Sequence, residues 1–174
     1  MSWKIDPSHT RAVFSVRHMM IANVHGQFEN VTGVVDFDEA VPGRSRVDVQ
    51  IDAASINTRD DRRDAHLRSP DFLDVENHPY LTFKSTRVEA LDNATGRITG
   101  DLTIRDVTRP VSFEAEYNGR NRTPWGTEVV GYSADLKVNR KDFGLTYNVA
   151  LETGGFVVGD EVKIHLDIEA GLQA

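Results

Sequence analysis

The sequence has no cysteine, so disulfide staples and thiolate metal sites are excluded. Aromatic residues make up only 8% of the chain. No uninterrupted apolar run approaches the roughly 20 residues that a helix needs to span a bilayer. There is also no basic block. The 20 Lys and Arg are scattered among 27 Asp and Glu, giving a formal net charge of -7. An acidic, evenly mixed surface disfavours a phosphate backbone as partner. Nucleophile elbow, P-loop and dinucleotide loop are all missing, which argues against an enzyme. The opening "MSWKIDPSHT" lacks the basic start and apolar core of an export signal. It predicts a cytoplasmic protein, or a periplasmic one if such a signal has been removed.

What the sequence does have is alternation. In "SRVDVQIDA", Val47, Val49, Ile51 and Ala53 alternate with Arg46, Asp48, Gln50 and Asp52, the pattern of a half-buried strand. In "RAVFSVRH", Ala12, Phe14, Val16 and His18 share one face. The same period places Ile98, Leu102 and Ile104 together, then Val111, Phe113 and Ala115. It also groups Tyr132, Ala134, Leu136 and Val138, and in the last stretch Val162, Ile164, Leu166 and Ile168.

Two further stretches alternate with a slip. In "QFENVTGVVDF", Phe28 is out of phase with Val31, Val35 and Phe37, and a bulge near Glu29 or Asn30 would restore it. In "YLTFKSTRVEA", Leu81 and Phe83 face one way, Val88 and Ala90 the other. With "DNATG" and "NGRNRTPWG" as turns, the count is about eight long strands in a single domain over residues 1–174. Strands this long suit a tilted, closed barrel, whose interior is either filled or holds one small ligand.

One region reads as helical, "NTRDDRRDAHLRSPDFLD". Asn57 or Thr58 is the expected cap, and Ser69-Pro70 is expected to start a second short turn. Its Leu67 and Phe72 would form the apolar side of a lid. Asp60, Asp61 and Asp64, interleaved with Arg59, Arg62 and Arg63, read as a solvated face with local ion pairs. Met19 to Ala22 breaks the alternation and is expected to be a short helical plug ended by Gly26, with His25 in a turn.

The stretches "WKIDPSHTRAVFSVRHMMIANVHGQFENVTGVVDFD", "SINTRDDRRDAHLRSPDFLDVENHPYLTFKS", "ITGDLTIRDVTRPVSFEAEYNG", "NRKDFGL" and "GDEVKIHLDIE" occur in one order along the chain. In that order and spacing the sequence closely resembles the YceI-like, polyisoprenoid-binding, lipocalin-like family, from Trp3 to about Glu169. The resemblance implies an eight-stranded antiparallel barrel with a long apolar channel. It also implies an isoprenoid or another long-chain amphiphile as ligand, and in some members export to the periplasm.

The expected fold is therefore all-β, an eight-stranded antiparallel lipocalin-like barrel with one or two short helices at the lid. The expected function is non-enzymatic storage or transport of a long-chain isoprenoid or lipid-like ligand. Each buried CH₂ contributes roughly 0.8 kcal/mol, so a long chain supplies most of its own affinity. The inward candidates are Phe14, Val16, Phe28, Val49, Ile51, Phe83, Ile98, Leu102, Phe113, Tyr132 and Leu136. Gly33, Gly100, Ala115 and Ala134 on the same faces are expected to leave the channel open.

At the mouth we expect His18 and Arg140 near a polar head, with Arg140 otherwise in a structural salt bridge. Met20 and Ile21 would form a flexible apolar plug, since methionine suits a ligand of variable shape. Phe143, Gly144, Leu145 and Tyr147 would form an apolar rim. No cofactor is expected beyond a bound polyisoprenoid or similar lipid. Partners are expected to be that small molecule, without nucleic acid or stable membrane insertion, and the long exposed faces are compatible with a homodimer. The alternative is a metal or haem site built from the six histidines. Their spacing does not support it, because none forms an i, i+4 or HxH pair.

Overall fold

A computed structural model describes residues 1–174 as eight antiparallel staves closed into one up-and-down barrel. Three staves are each broken once. The first is β1 (Ser2–Ile5) and β2 (Arg11–His18), the second β3 (Ala22–Phe28) and β4 (Val31–Asp36), the third β5 (Arg46–Asp52) and β6 (Ile56–Asn57). The others are β7 (Tyr80–Ala90), β8 (Thr95–Ile104), β9 (Val107–Arg122), β10 (Glu128–Asn139) and β11 (Val158–Leu172). β11 closes the ring by pairing with both halves of the first stave, Trp3 with Leu172 and Phe14 with Ile164. Closure removes the free edges that an open sheet of alternating strands would expose.

The two slips in alternation have local causes. Between β3 and β4 the chain breaks at Glu29 and Asn30, whose N–H groups both donate to Ser55 Oγ. In β7 the register shifts between Ser85 and Arg87, which brings Val88 back to the inner face. β9 begins at Val107 and runs through Pro110. Its first half pairs only with β8, so the missing N–H faces no strand. Below Glu114 the sheet splits between β9 and β10, and the 3₁₀ turn Arg140–Phe143 packs there, with Arg109 Nε donating to Asp142 O.

The barrel holds two stacked cores. One comprises Trp3, Ile5, Val35, Val130 and Ala170. The other comprises Ala53, Ile56, Leu73, Leu81, Ile104, Val138, Phe143 and Leu145. The second core lies under the lone helix α1 (Asp61–Arg68) and closes that end. Asp60, rather than Asn57 or Thr58, caps α1 by accepting from Arg63 N–H at 3.0 Å. Thr58 instead donates its N–H and hydroxyl to Asp64, which is buried and so leaves the solvated face expected of it. After Ser69 the chain makes successive turns instead of a second helix.

Met19 to Ala22 is not a helical plug. His18 pairs with Ala22, and Ile21 N–H donates to His18 O, so the run is a tight hairpin turn. Met19 and Met20 both take left-handed backbone, φ 53° and 65°. The strand resumes at Ala22, which places His25 and Gly26 inside β3 rather than in a turn.

Candidate functional site

The inner faces enclose a cavity of about 530 Å³ in the half of the barrel away from α1. Of its 34 lining residues, 24 are hydrophobic. Val49, Ile51, Phe83, Ile98, Leu102, Phe113, Tyr132 and Leu136 are among them. Trp3, Val31, Val35, Val47, Val130 and Leu166 also line it. The inward phase of all of these but Trp3 was visible in sequence, but nothing there separated filling from lining. Ile51, Leu102, Val111, Leu136 and Ile164 both line the cavity and pack on the lower core, so they form its floor.

The small residues divide. Ala115 and Ala134 line the cavity and face each other across the β9–β10 pair. Gly100 and Gly33 leave no open space. The Phe83 ring covers Gly100, and Gly33 lies against the Asp48 carbonyl and Ile5. Phe83 and Phe113 pack at 5.5 Å between centroids, Tyr117 and Tyr132 at 5.6 Å. Burial raises the Tyr132 hydroxyl to about 12, which keeps it neutral.

The mouth lies between the β4–β5 and β7–β8 connections, which contribute Glu39, Pro42, Asp92, Asn93 and Ala94, and Arg120 near the end of β9, beside the β9–β10 connection. Charges there are already paired. Arg120 bridges Glu128 and approaches Glu39 at 4.0 Å, with its guanidinium 5.2 Å from the Trp3 ring. Glu89 pairs with Arg87, and the Asp92 carboxylate accepts from the N–H groups of Ala94 and Thr95. No buried side-chain polar atom lacks a partner.

Other candidates fall outside this cavity, and the mouth is at the opposite end from the one expected. His18, Met20 and Ile21 are exposed at the closed end, Ile21 at 84%. Val16 pairs with Val24 and Val162 near that end. Phe14, Phe28 and Leu67 pack on the lower core, and the Phe14 ring fills the space over Gly26. Phe72 is buried against His66 and Tyr147, and Phe143 belongs to the lower core.

Arg140 lies outside the cavity and faces no buried carboxylate. Its buried guanidinium donates to the carbonyls of Gly159 (2.8 Å), Leu145 (2.6 Å) and Tyr147 (2.9 Å) and binds together the closed-end loop. Half-exposed Asp160, 3.8 Å away, supplies the structural salt bridge expected of Arg140. Burial lowers the Arg140 pKa.

Two histidines each meet two carboxylates: His165 is bridged between Asp135 (2.7 Å) and Asp167 (3.1 Å) through its two opposite ring nitrogens, whereas His9, Asp6 and Glu169 bring one ligand atom each close together. This exposed trio is already an ion-paired turn: Asp6 holds His9 Nδ1 at 2.9 Å, and hydrogen bonds from Ser8 and His9 bring the Asp6 carboxyl down to about 2.

Comparison with known proteins agrees with this fold. The chain is 37% identical over 145 residues to UPF0312 proteins of Pseudomonas putida and Pseudomonas fluorescens, covering 82% of this chain and 76% of theirs. The crystal structure of the Campylobacter jejuni YCEI protein superposes with a TM-score of 0.75 at 33% identity, over 91% of this chain and 90% of that one. Burkholderia cenocepacia BcnA shares the fold, with a TM-score of 0.83 at 21% identity, over 95% and 98% of the two chains. A polyisoprenoid binding domain from Saccharophagus degradans also shares it, with a TM-score of 0.72 at 14% identity, over 98% of each chain. The YceI-like domain model matches residues 3–170, and the chain belongs to the YceI-like domain family.

Proposed function

We propose that the barrel binds one long-chain isoprenoid or lipid-like molecule without chemical turnover, as a store or carrier. The cavity carries this reading: an enclosure of about 530 Å³, mostly apolar, within the size range of small-molecule sites. An apolar chain recovers its burial energy there by contact alone, and the paired polar side chains place no competing demand inside. The mouth favours an uncharged head. Arg120 is neutralised by Glu128 and Glu39, so a phosphate would have to displace carboxylates, whereas Tyr117, Tyr132 and Asn93 offer neutral hydrogen-bonding groups. The S. degradans domain of the same fold, described as polyisoprenoid binding, supports the choice of ligand class.

Organic extraction of protein purified from its native host, followed by mass spectrometry, tests the reading. A stoichiometric long-chain molecule with a neutral head is expected. Protein that arrives empty, and takes up no isoprenoid alcohol or quinone offered in detergent, would refute it.

A further inference from the structure

The topology gathers three loops at the open end: residues 37–45, 91–94 and 123–127. Each presents one large apolar side chain to solvent. Val41 is 43% exposed, Leu91 42% and Trp125 88%. These are fixed displays rather than loose tips. Val41 N–H donates to Asp38 Oδ1 at 2.8 Å, Leu91 N–H to Thr95 O at 2.9 Å, and Gly126 N–H to Thr123 O at 2.9 Å. Pro42, Asp92 and Ala94 in the first two loops and Arg120 beside the third line the cavity, so the apolar rim runs on into the apolar interior.

Tryptophan with its indole free in water is suited to a boundary between hydrocarbon and water. A long-chain ligand partitions out of water, so the mouth must meet it where it resides. The net charge of -7 disfavours an anionic leaflet. On the mouth itself Arg120 is matched by Glu128 and Glu39, and the exposed Arg44 and Arg122 of this end stand among Asp38, Glu39 and Asp92, so the charge there is mixed rather than a cationic patch that would seek phosphate-rich surfaces.

We infer that the open end docks on the surface of an electrically neutral lipid bilayer, with Val41, Leu91 and Trp125 in the interfacial layer and the cavity mouth against it. The contact is peripheral and reversible. It rests on the cavity being the lipid site, since continuity with that cavity is what selects this end.

The test is flotation with phosphatidylcholine vesicles together with tryptophan emission. Trp3 lines the cavity and responds to lipid uptake, so the emission change assigned to Trp125 is the part that a Trp125→Phe variant loses. Expected are a blue shift, quenching by acyl-brominated phosphatidylcholine, and at least a tenfold loss of vesicle partitioning in a Leu91→Ser, Trp125→Ser double variant. An Ile21→Ser, Phe156→Ser double variant at the closed end should partition normally. Absence of quenching, capture by anionic vesicles only, or loss of partitioning in the closed-end variant alone would overturn the inference. So would a concentration-dependent dimer that shields Trp125 without vesicles. Protein that carries extractable lipid yet ignores vesicles would remove the docking and leave the ligand reading intact. Vesicle docking by a protein that never takes up lipid would do the reverse.

Discussion

The Phe83 ring lies over Gly100 on the neighbouring strand: a Cβ built at Gly100 would stand 2.5 Å from Phe83 Cζ. It would also collide with the Lys84 carbonyl, which is backbone and cannot rotate away. Gly100→Ala should therefore push Phe83 into the cavity and cost about 1–3 kcal/mol, the usual penalty for overpacking. Denaturant midpoints should fall with an unchanged m-value, and lipid uptake should weaken in the same variant.

Ala134 is buried, lines the cavity, and pairs with Ala115 on one side and Leu166 on the other. Replacing it with tryptophan fills the space a ligand chain would use. Ala134→Trp and Leu102→Trp should each fold and lose lipid uptake by tenfold or more, measured by extraction after incubation with a fluorescent isoprenoid. Full uptake by both folded variants would place the ligand elsewhere.

Tyr132 gives an alkaline signature. Its hydroxyl ionises near 12 in the barrel and near the ordinary tyrosine value of about 10 once exposed. Below pH 10 both states carry the proton, so the shift contributes nothing to the pH dependence of stability. Between pH 10 and 12 the unfolded chain ionises first, so stability falls as pH rises. Spectrophotometric titration should show a tyrosine step near pH 12 that Tyr132→Phe removes. Tyr132→Phe should flatten the loss of stability across that window.

Arg140 anchors the closed end through the carbonyls of Leu145, Tyr147 and Gly159. Arg140→Met would leave these acceptors without their charged donor and cost about 3 kcal/mol. Because the cavity opens at the other end, lipid affinity of the surviving folded fraction should change little, as equilibrium binding at low temperature would show.

The hairpin turn at Met19 and Met20 holds two non-glycine residues in left-handed backbone, at about 1 kcal/mol or more each. Met19→Asn with Met20→Gly, the residues this turn geometry prefers, should raise the thermal midpoint. A lowered midpoint would show that Met20 packing against Gly155 outweighs the backbone strain.

Much of the barrel is written in the sequence as period two. Side chains on a strand alternate by geometry, so the inner face of β5, with Val47, Val49 and Ile51, follows from residue order alone. The slips at Glu29–Asn30 and after Ser85 were detectable for the same reason, because a bulge flips the phase. The α1 cap, by contrast, was expected at Asn57 or Thr58, and Asp60 takes it because the docking of Asp64 onto Thr58 engages Thr58 elsewhere.

Period two tells in from out and nothing about height along the barrel. Phe14 and Phe83 have the same phase and chemistry, yet Phe14 packs on the filled core and Phe83 walls the cavity. That difference arises from what meets each ring across the barrel: the lower level receives Leu73, Phe143 and Leu145 from outside the sheet, and the upper level receives no such segment. The sequence by itself determined an all-β chain with one apolar face. Which half stays hollow, and therefore which end is the mouth, was decided only by the tertiary packing of the lid and the loop after β10, through contacts between residues far apart in the chain.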